Sequence, residues 1–135
     1  MSNYHWFSDQ EVAQWQLDGQ VWAMLDMARQ KTVDDDPNKK GVPFIITRGK
    51  DTLQHEMALH GGVSDSSHIL GLGVDLSVTD DASLCAILVG LFYAGFRRIG
   101  IYGTLANGKM VPTHIHADFD AQLPTPATWV MQEQN

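Results

Sequence analysis

The sequence predicts an α+β fold, with a small, mainly antiparallel sheet, helices on one face and the other face left to polar side chains. Segments whose apolar residues recur at helical spacing are interspersed with short segments in which apolar and polar residues alternate, as they do in strands. The connections between these segments are short, which favours antiparallel pairing. At 135 residues the chain fits a single domain, residues 1–135, and can bury a core without disulfides.

The first part of the chain predicts a helix, a loop and a strand. Ser8 followed by Glu11 fits a capping box, which satisfies free backbone N–H groups at a helix start. Apolar residues then recur at near-helical spacing, so we expect an amphipathic helix over residues 9–31, with Gly19 as its weak point. VDDDPNKKG is expected to be a solvated loop, PFIITRG a strand and DTLQHEMALH a short helix.

A strand and a second helix follow. GVDLSV alternates between apolar and polar residues, which predicts a strand. Asp80 or Asp81 can cap a helix over residues 81–95, which Gly95 ends. The single cysteine, Cys85, lies in this apolar helix and is expected to be buried. The stripe predicted to face the core consists of Leu84, Ile87, Leu88, Leu91 and Phe92.

The last part of the chain predicts two strands, RRIGIYG and VPTHIHADF, joined by the turn-rich TLANGK. Because side chains alternate between the faces of a strand, the second strand separates into an apolar and an ionisable face. The residues expected to point to the core are Ile115, Ala117 and Phe119. The residues expected on the opposite face are His114, His116 and Asp118.

The composition limits the partners and the location of the protein. Sixteen acidic residues outnumber nine basic ones, giving a net charge of −7, so neither nucleic acid nor an anionic membrane surface is an expected partner. The N-terminus lacks the basic start and apolar stretch of a secretion signal, and no apolar segment is long enough for membrane insertion. We expect a protein made in the cytoplasm.

Three residues form a candidate metal site. Catalytic zinc sites use three ligands from His, Asp or Glu and keep one position for water. His68 lies in a predicted loop, Asp75 on the polar face of the following strand, and His116 or His114 on another strand. A single histidine on a polar strand face is most often a solvated surface residue, so the prediction depends on the agreement of all three positions. HEMALH resembles H-E-x-x-H, but its second histidine is one residue too far along.

These residues carry a resemblance to a known family. The segment from Ser66 to Asp75, SSHILGLGVD, resembles the motif S-x-H-x-x-G-x-A-x-D of the zinc D-Ala-D-Ala carboxypeptidases and L-alanyl-D-glutamate endopeptidases, which share their fold with the hedgehog signalling domain. Only Gly73 departs from it, in place of alanine. FIITRG, AGFRRIGIY and THIHADF are similar to further segments of the family, so the resemblance runs from about Asp18 to Trp129.

The resemblance implies the roles of individual residues. It makes His68, Asp75 and His116 the ligands of Zn²⁺. Ser66 would shape the site and contact substrate, and His114 would lie beside the water that attacks the substrate. Asp118 would support the site or face the substrate.

Two positions depart from the family. Many of its active peptidases have a glutamate or aspartate three residues before the last ligand, where this chain has Thr113. The arginine that follows the first strand in the family is also missing, since Asp51 occupies its position. Arg48 lies three residues earlier and is the candidate replacement for substrate binding and oxyanion stabilisation.

The resemblance implies a zinc-dependent peptidase that hydrolyses the stem peptides of bacterial peptidoglycan. Such a protein would reach the cell wall as a phage lysin or virion component, with other phage proteins as further partners. The alternative is a zinc-site domain that binds cell wall or protein with little or no catalysis, which Thr113 favours. Trp129 would form a lid or line a groove, and the sequence does not choose between the two.

Overall fold

The computed structural model describes residues 3–50, 67–68 and 70–133, and these residues form an α+β fold. Its five-stranded sheet has the order β1-β2-β4-β3-β5 and is antiparallel except for the β3–β5 pair. The helices in the described part of the chain are α1 (Asp9–Trp15), α2 (Gly19–Asp34) and α3 (Asp81–Ala94). The strands are β1 (Ile46–Arg48), β2 (Gly73–Ser77), β3 (Arg98–Ala106), β4 (Lys109–Asp118) and β5 (Ala127–Gln132).

The predicted helix over residues 9–31 is two helices. The Ser8–Glu11 capping box starts α1 as expected, but Gln16 takes a left-handed conformation (φ 52°) that ends it. Asp18 then caps α2 by accepting a hydrogen bond from the Gln20 N–H. The backbone N–H of Asp18 donates to the Gly71 carbonyl over 2.8 Å. The junction between α1 and α2 is therefore hydrogen-bonded to the loop that leads into β2.

The alternation of β2 and β4 is confirmed. Their fully buried residues belong to one core cluster together with residues of α2 and α3, which pack against each other and cover one face of the sheet. The core residues of these two strands are Val74, Leu76, Ile115 and Ala117. Phe119, expected to continue this apolar face, lies beyond the end of β4 and is 46% exposed.

Helix α3 has the predicted limits but not all of the predicted buried face. Asp80 caps it through the Ser83 N–H, and Gly95 ends it with φ 107°. Phe92 is 40% exposed and Cys85 is exposed, so the expectation that both are buried is wrong. Both side chains lie on the outward face because an apolar helix with one neighbouring helix and one sheet cannot bury its whole circumference.

Strand β5 was not predicted, and the strand predicted over PFIITRG shortens to Ile46–Arg48. β5 pairs in parallel with β3, opposite the edge of β3 that β4 occupies, and places Trp129 against Gly100. The short helix predicted over DTLQHEMALH lies outside the described residues. In the described part of the chain no helix is long and apolar enough to cross a bilayer.

Candidate metal centre

His68, Asp75 and His116 converge on one point, as predicted. One donor atom from each lies within 4.8 Å of the donor atoms of the other two. Asp75 Oδ1 lies 3.2 Å from His68 Nε2 and 2.9 Å from His116 Nδ1. The antiparallel β2–β4 register produces this approach, because it pairs Asp75 directly with His116. These three residues therefore form a group that could hold a metal ion.

His68 is held in the orientation that a metal ligand needs. Its Nδ1 lies 2.9 Å from the Gly49 carbonyl oxygen, which can only accept a hydrogen bond, so Nδ1 carries the hydrogen. The imidazole therefore turns Nε2 towards Asp75 Oδ1, which lies 3.2 Å away. Hydrogen bonds that fix the second nitrogen of a histidine are typical of metal ligands. The Gly49 backbone in turn packs against Trp15 at the end of α1.

His116 lies between two carboxylates. Its Nδ1 faces Asp75 Oδ1, and its Nε2 lies 2.8 Å from Asp118 Oδ2. Asp118 is itself held by Arg98, whose Nε donates to Oδ1 over 2.9 Å. The Arg98 guanidinium also donates to the Pro124 carbonyl, which fixes its position. His116 therefore presents Nδ1 to the candidate metal position. The Asp118 carboxylate, anchored by Arg98, binds Nε2 on the other side of the ring.

The charges of this group follow from burial and hydrogen bonding. Burial alone would lower the pKa of His116, but hydrogen bonds to Asp118 and Asp75 outweigh it and raise the pKa to about 9. Burial would raise the pKa of Asp75, yet hydrogen bonds from His116 and His68 hold it well below its usual range. Burial would also raise the pKa of Asp118, but the hydrogen bond and charge of His116, the Asp120 N–H and the charge of Arg98 together lower it. Both carboxylates are therefore ionised at neutral pH.

Glycines allow the close packing around His116. A Cβ on Gly73 would overlap Ser67 Oγ and lie 3.1 Å from His116 Cε1. Glycine therefore fits at this position, where the alanine of the family motif would be too large. Gly100 pairs with His116 in the β3–β4 register, and a Cβ there would overlap Nε1 of the Trp129 ring. Trp129 thus lies flat against the sheet with its ring 6.0 Å from the His116 ring and forms a wall beside the candidate metal centre.

The other predicted site residues lie around this group. His114 is on the same face of β4 as His116 and stacks on Tyr102 at 4.6 Å between ring centroids. Asp118 is buried, and its described contacts are with neighbouring side chains and backbone. The Arg48 guanidinium lies 4.0 Å from Asp75 Oδ2. The predicted roles of these residues in catalysis and substrate binding stay predictions, and Ser66 lies outside the described residues.

Sequence reasoning missed the residues that support the site. The Oγ of Ser67 lies 3.4 Å from His116 Nε2. Its place inside the quoted motif, next to His68, is the sequence feature that could have identified it. Arg98 was predicted only as a residue of the strand RRIGIYG, and its link to Asp118 depends on the register of β3 with β4. Glu133 follows the unpredicted β5 and contacts His114, and no local pattern points to it.

The donor set fits a transition metal. Two imidazole nitrogens and one carboxylate oxygen are the ligands of many catalytic zinc sites, which keep a further position for water. The same set also binds Fe(II) in other proteins. The supporting hydrogen bonds on His68 Nδ1 and His116 Nε2 are those that such sites need.

Comparison of the chain with protein-family models, curated proteins and solved structures found no significant match. The resemblance to the zinc peptidases therefore rests on the quoted residues. Independently of it, the chain has an α+β fold with a His68, Asp75 and His116 group that could hold a metal ion.

Proposed function

We propose that the protein is a zinc-dependent peptidase that hydrolyses stem-peptide bonds of bacterial peptidoglycan. The observation that carries the proposal is the convergence of His68, Asp75 and His116, with the second nitrogen of each histidine already fixed. The substrate class comes from the resemblance of the segment around His68 and Asp75, and of the strand around His116, to the peptidoglycan peptidases.

Each residue then has a definite task. A zinc ion at this site would lower the pKa of a bound water towards ~7 and supply a nucleophile near neutral pH. Asp118 and Arg98 keep the His116 ring from rotating. His114 orients the attacking water from the same strand face, and Arg48 stabilises negative charge on the substrate carbonyl. Trp129 forms one wall of the substrate groove rather than part of the core.

A second candidate function is a zinc-site domain that binds cell wall without cutting it. The observation that favours it is Thr113, whose hydroxyl can donate its one hydrogen to the Tyr102 carbonyl or to Glu133 but cannot take a proton from water at neutral pH. Both candidates predict the metal and differ only in hydrolysis.

Metal analysis of the purified protein tests zinc binding, which both candidate functions predict. We expect about one zinc per chain and a His68→Ala variant that binds zinc at least ~100-fold more weakly, because one of three ligands is lost. His5→Ala is the matched control, since His5 is exposed on the N-terminal segment and should leave zinc binding unchanged. Undiminished zinc in His68→Ala would overturn the ligand assignment.

Incubation with purified cell walls separates the two candidates. The peptidase proposal predicts new free amino groups in the soluble fraction, their loss on adding a chelator and their return on adding zinc. Cell walls that retain the zinc-loaded protein but release no amino groups would contradict the peptidase and support the binding domain.

A further inference from the structure

Beside the candidate metal centre, the side chain of Glu133, the residue after β5, reaches β4 at an irregularity in the sheet. In the β3–β4 register Tyr102 pairs with His114 but Gly103 pairs with Pro112, so Thr113 is an extra residue in β4. Such a bulge changes the direction of the side chains next to it. Here it brings both Thr113 and His114 towards Glu133.

Glu133 is held in place by backbone and side-chain contacts. Its N–H donates to the Gly103 carbonyl over 2.7 Å, which continues the β3–β5 pairing. Its carboxylate accepts a hydrogen bond from the Thr113 hydroxyl, and its Oε1 lies 3.4 Å from His114 Nδ1. The side chain is 35% exposed, so the carboxylate is at the edge of the site.

The contacts of His114 select one tautomer. Its Nδ1 lies 3.3 Å from Thr113 Oγ1, which donates its hydrogen to the Glu133 carboxylate, and 3.4 Å from Glu133 Oε1 itself. Because the Thr113 hydroxyl gives its hydrogen to Glu133, both oxygens near Nδ1 can only accept, so the hydrogen of the neutral ring belongs on Nδ1 and the lone pair on Nε2. Parallel stacking on Tyr102, with 4° between the planes, fixes the ring plane. Tyr102 is anchored in turn, because its hydroxyl accepts from Trp129 Nε1 over 2.9 Å.

We propose that Glu133 is a positioning residue that holds the His114 imidazole as the Nδ1–H tautomer, with Nε2 available to a water or substrate proton at the neighbouring metal centre. The role of His114 in hydrolysis rests on the proposed function, whereas its geometry rests only on the contacts given above. The carboxylate of Glu133, the residue after β5, thus lies beside the position where Thr113 itself offers only a hydroxyl.

Nuclear magnetic resonance of the zinc-loaded protein tests the positioning directly. Long-range ¹H–¹⁵N correlation spectra distinguish the two tautomers of a neutral histidine. We expect His114 to be in the Nδ1–H form in the unmodified protein and to become a mixture in Glu133→Ala. Glu133→Gln keeps an accepting oxygen and should retain most of the Nδ1–H form. Predominant Nε2–H in the unmodified protein, or no change in Glu133→Ala, would overturn the proposal.

Kinetics on a soluble stem peptide provide the second measurement. Loss of a residue that orients a catalytic group usually lowers activity ~10–100-fold, so Glu133→Ala should lower kcat by this factor. KM, zinc content and melting temperature should remain unchanged. Glu133→Gln should recover much of this loss. Gln132→Ala, an exposed neighbour on β5, is the matched control and should match the unmodified protein.

The two measurements separate this inference from the proposed function. An unmodified protein with the expected tautomer but no hydrolysis refutes the peptidase and upholds the positioning by Glu133. Hydrolysis that is equally fast in Glu133→Ala and in the unmodified protein refutes the positioning role and leaves the peptidase intact.

Discussion

The two faces of β4 differ in how their side chains are held. Ile115 and Ala117 are fully buried and belong to the apolar core cluster that they form with the helices. On the opposite face, His116 contacts Asp75 and Asp118 through directed hydrogen bonds at 2.8–2.9 Å. The core face needs volume and apolar surface, whereas the site face needs particular atoms at particular distances.

This difference predicts that substitutions on the two faces change different quantities. Loss of apolar volume should lower the free energy of unfolding and affect the metal only through unfolding. Loss of a directed contact should weaken metal binding in a protein that remains folded.

Ile115→Ala should destabilise the protein most. Removing a fully buried isoleucine leaves a cavity in close-packed surroundings, so we expect the free energy of unfolding to fall by ~2–5 kcal/mol. Val111→Ala is the matched control on the same strand, since Val111 is 44% exposed and should cost less than ~1 kcal/mol. Urea denaturation of both variants measures the difference, and equal losses would contradict the assignment of the two faces.

Local chemistry made much of the fold predictable. The limits of α3 follow from the cap at Asp80 and the left-handed Gly95, and the two faces of β4 follow from strict alternation. The break at Gln16 was not predictable because a non-glycine residue adopts a left-handed conformation there, and contacts with distant segments hold the junction. β5 was missed because its pairing partner, β3, is distant in the sequence and its own side chains alternate weakly.

The candidate site, like the fold, was predictable only in part from the sequence. A loop histidine and the polar faces of two strands predicted that His68 and Asp75 would meet His116 or His114, and the family resemblance selected His116. Asp118 binds Nε2 of His116 and so leaves Nδ1 facing Asp75, while Asp118 is itself anchored by Arg98. The contact between Arg98 and Asp118 depends on the register between β3 and β4. Register is a property of the paired strands, so a pattern within one strand cannot reveal it.

Asp118→Asn tests the contact between Asp118 and His116 on the polar face of β4. The amide keeps the size of the side chain but removes the charge that holds His116 Nε2, so we expect zinc affinity to fall ~10–100-fold. Competition with a zinc-binding dye measures the affinity, and thermal unfolding shows whether the fold is retained. Unchanged affinity would show that the orientation of His116 does not depend on Asp118.

Arg98→Met should have a smaller effect through the same contact. Arg98 touches Asp118 rather than the proposed ligands, so we expect zinc affinity to fall ~3–10-fold, below the loss from Asp118→Asn. Arg97→Met is the matched control, because the Arg97 guanidinium donates to the carbonyls of Phe92 and Phe96 at the end of α3 and does not contact the site.

The combination of the two changes shows whether they act along one line of contacts. If Arg98 affects zinc only by anchoring Asp118, then the Arg98→Met and Asp118→Asn double variant should bind zinc no more weakly than Asp118→Asn alone. Additive losses would mean that Arg98 acts by a separate route. Its guanidinium lies 5.3 Å from the Trp129 ring, which identifies that route as the wall beside the metal centre. Trp129→Phe in the Asp118→Asn background would then reproduce the loss, because it alters that wall without touching Asp118.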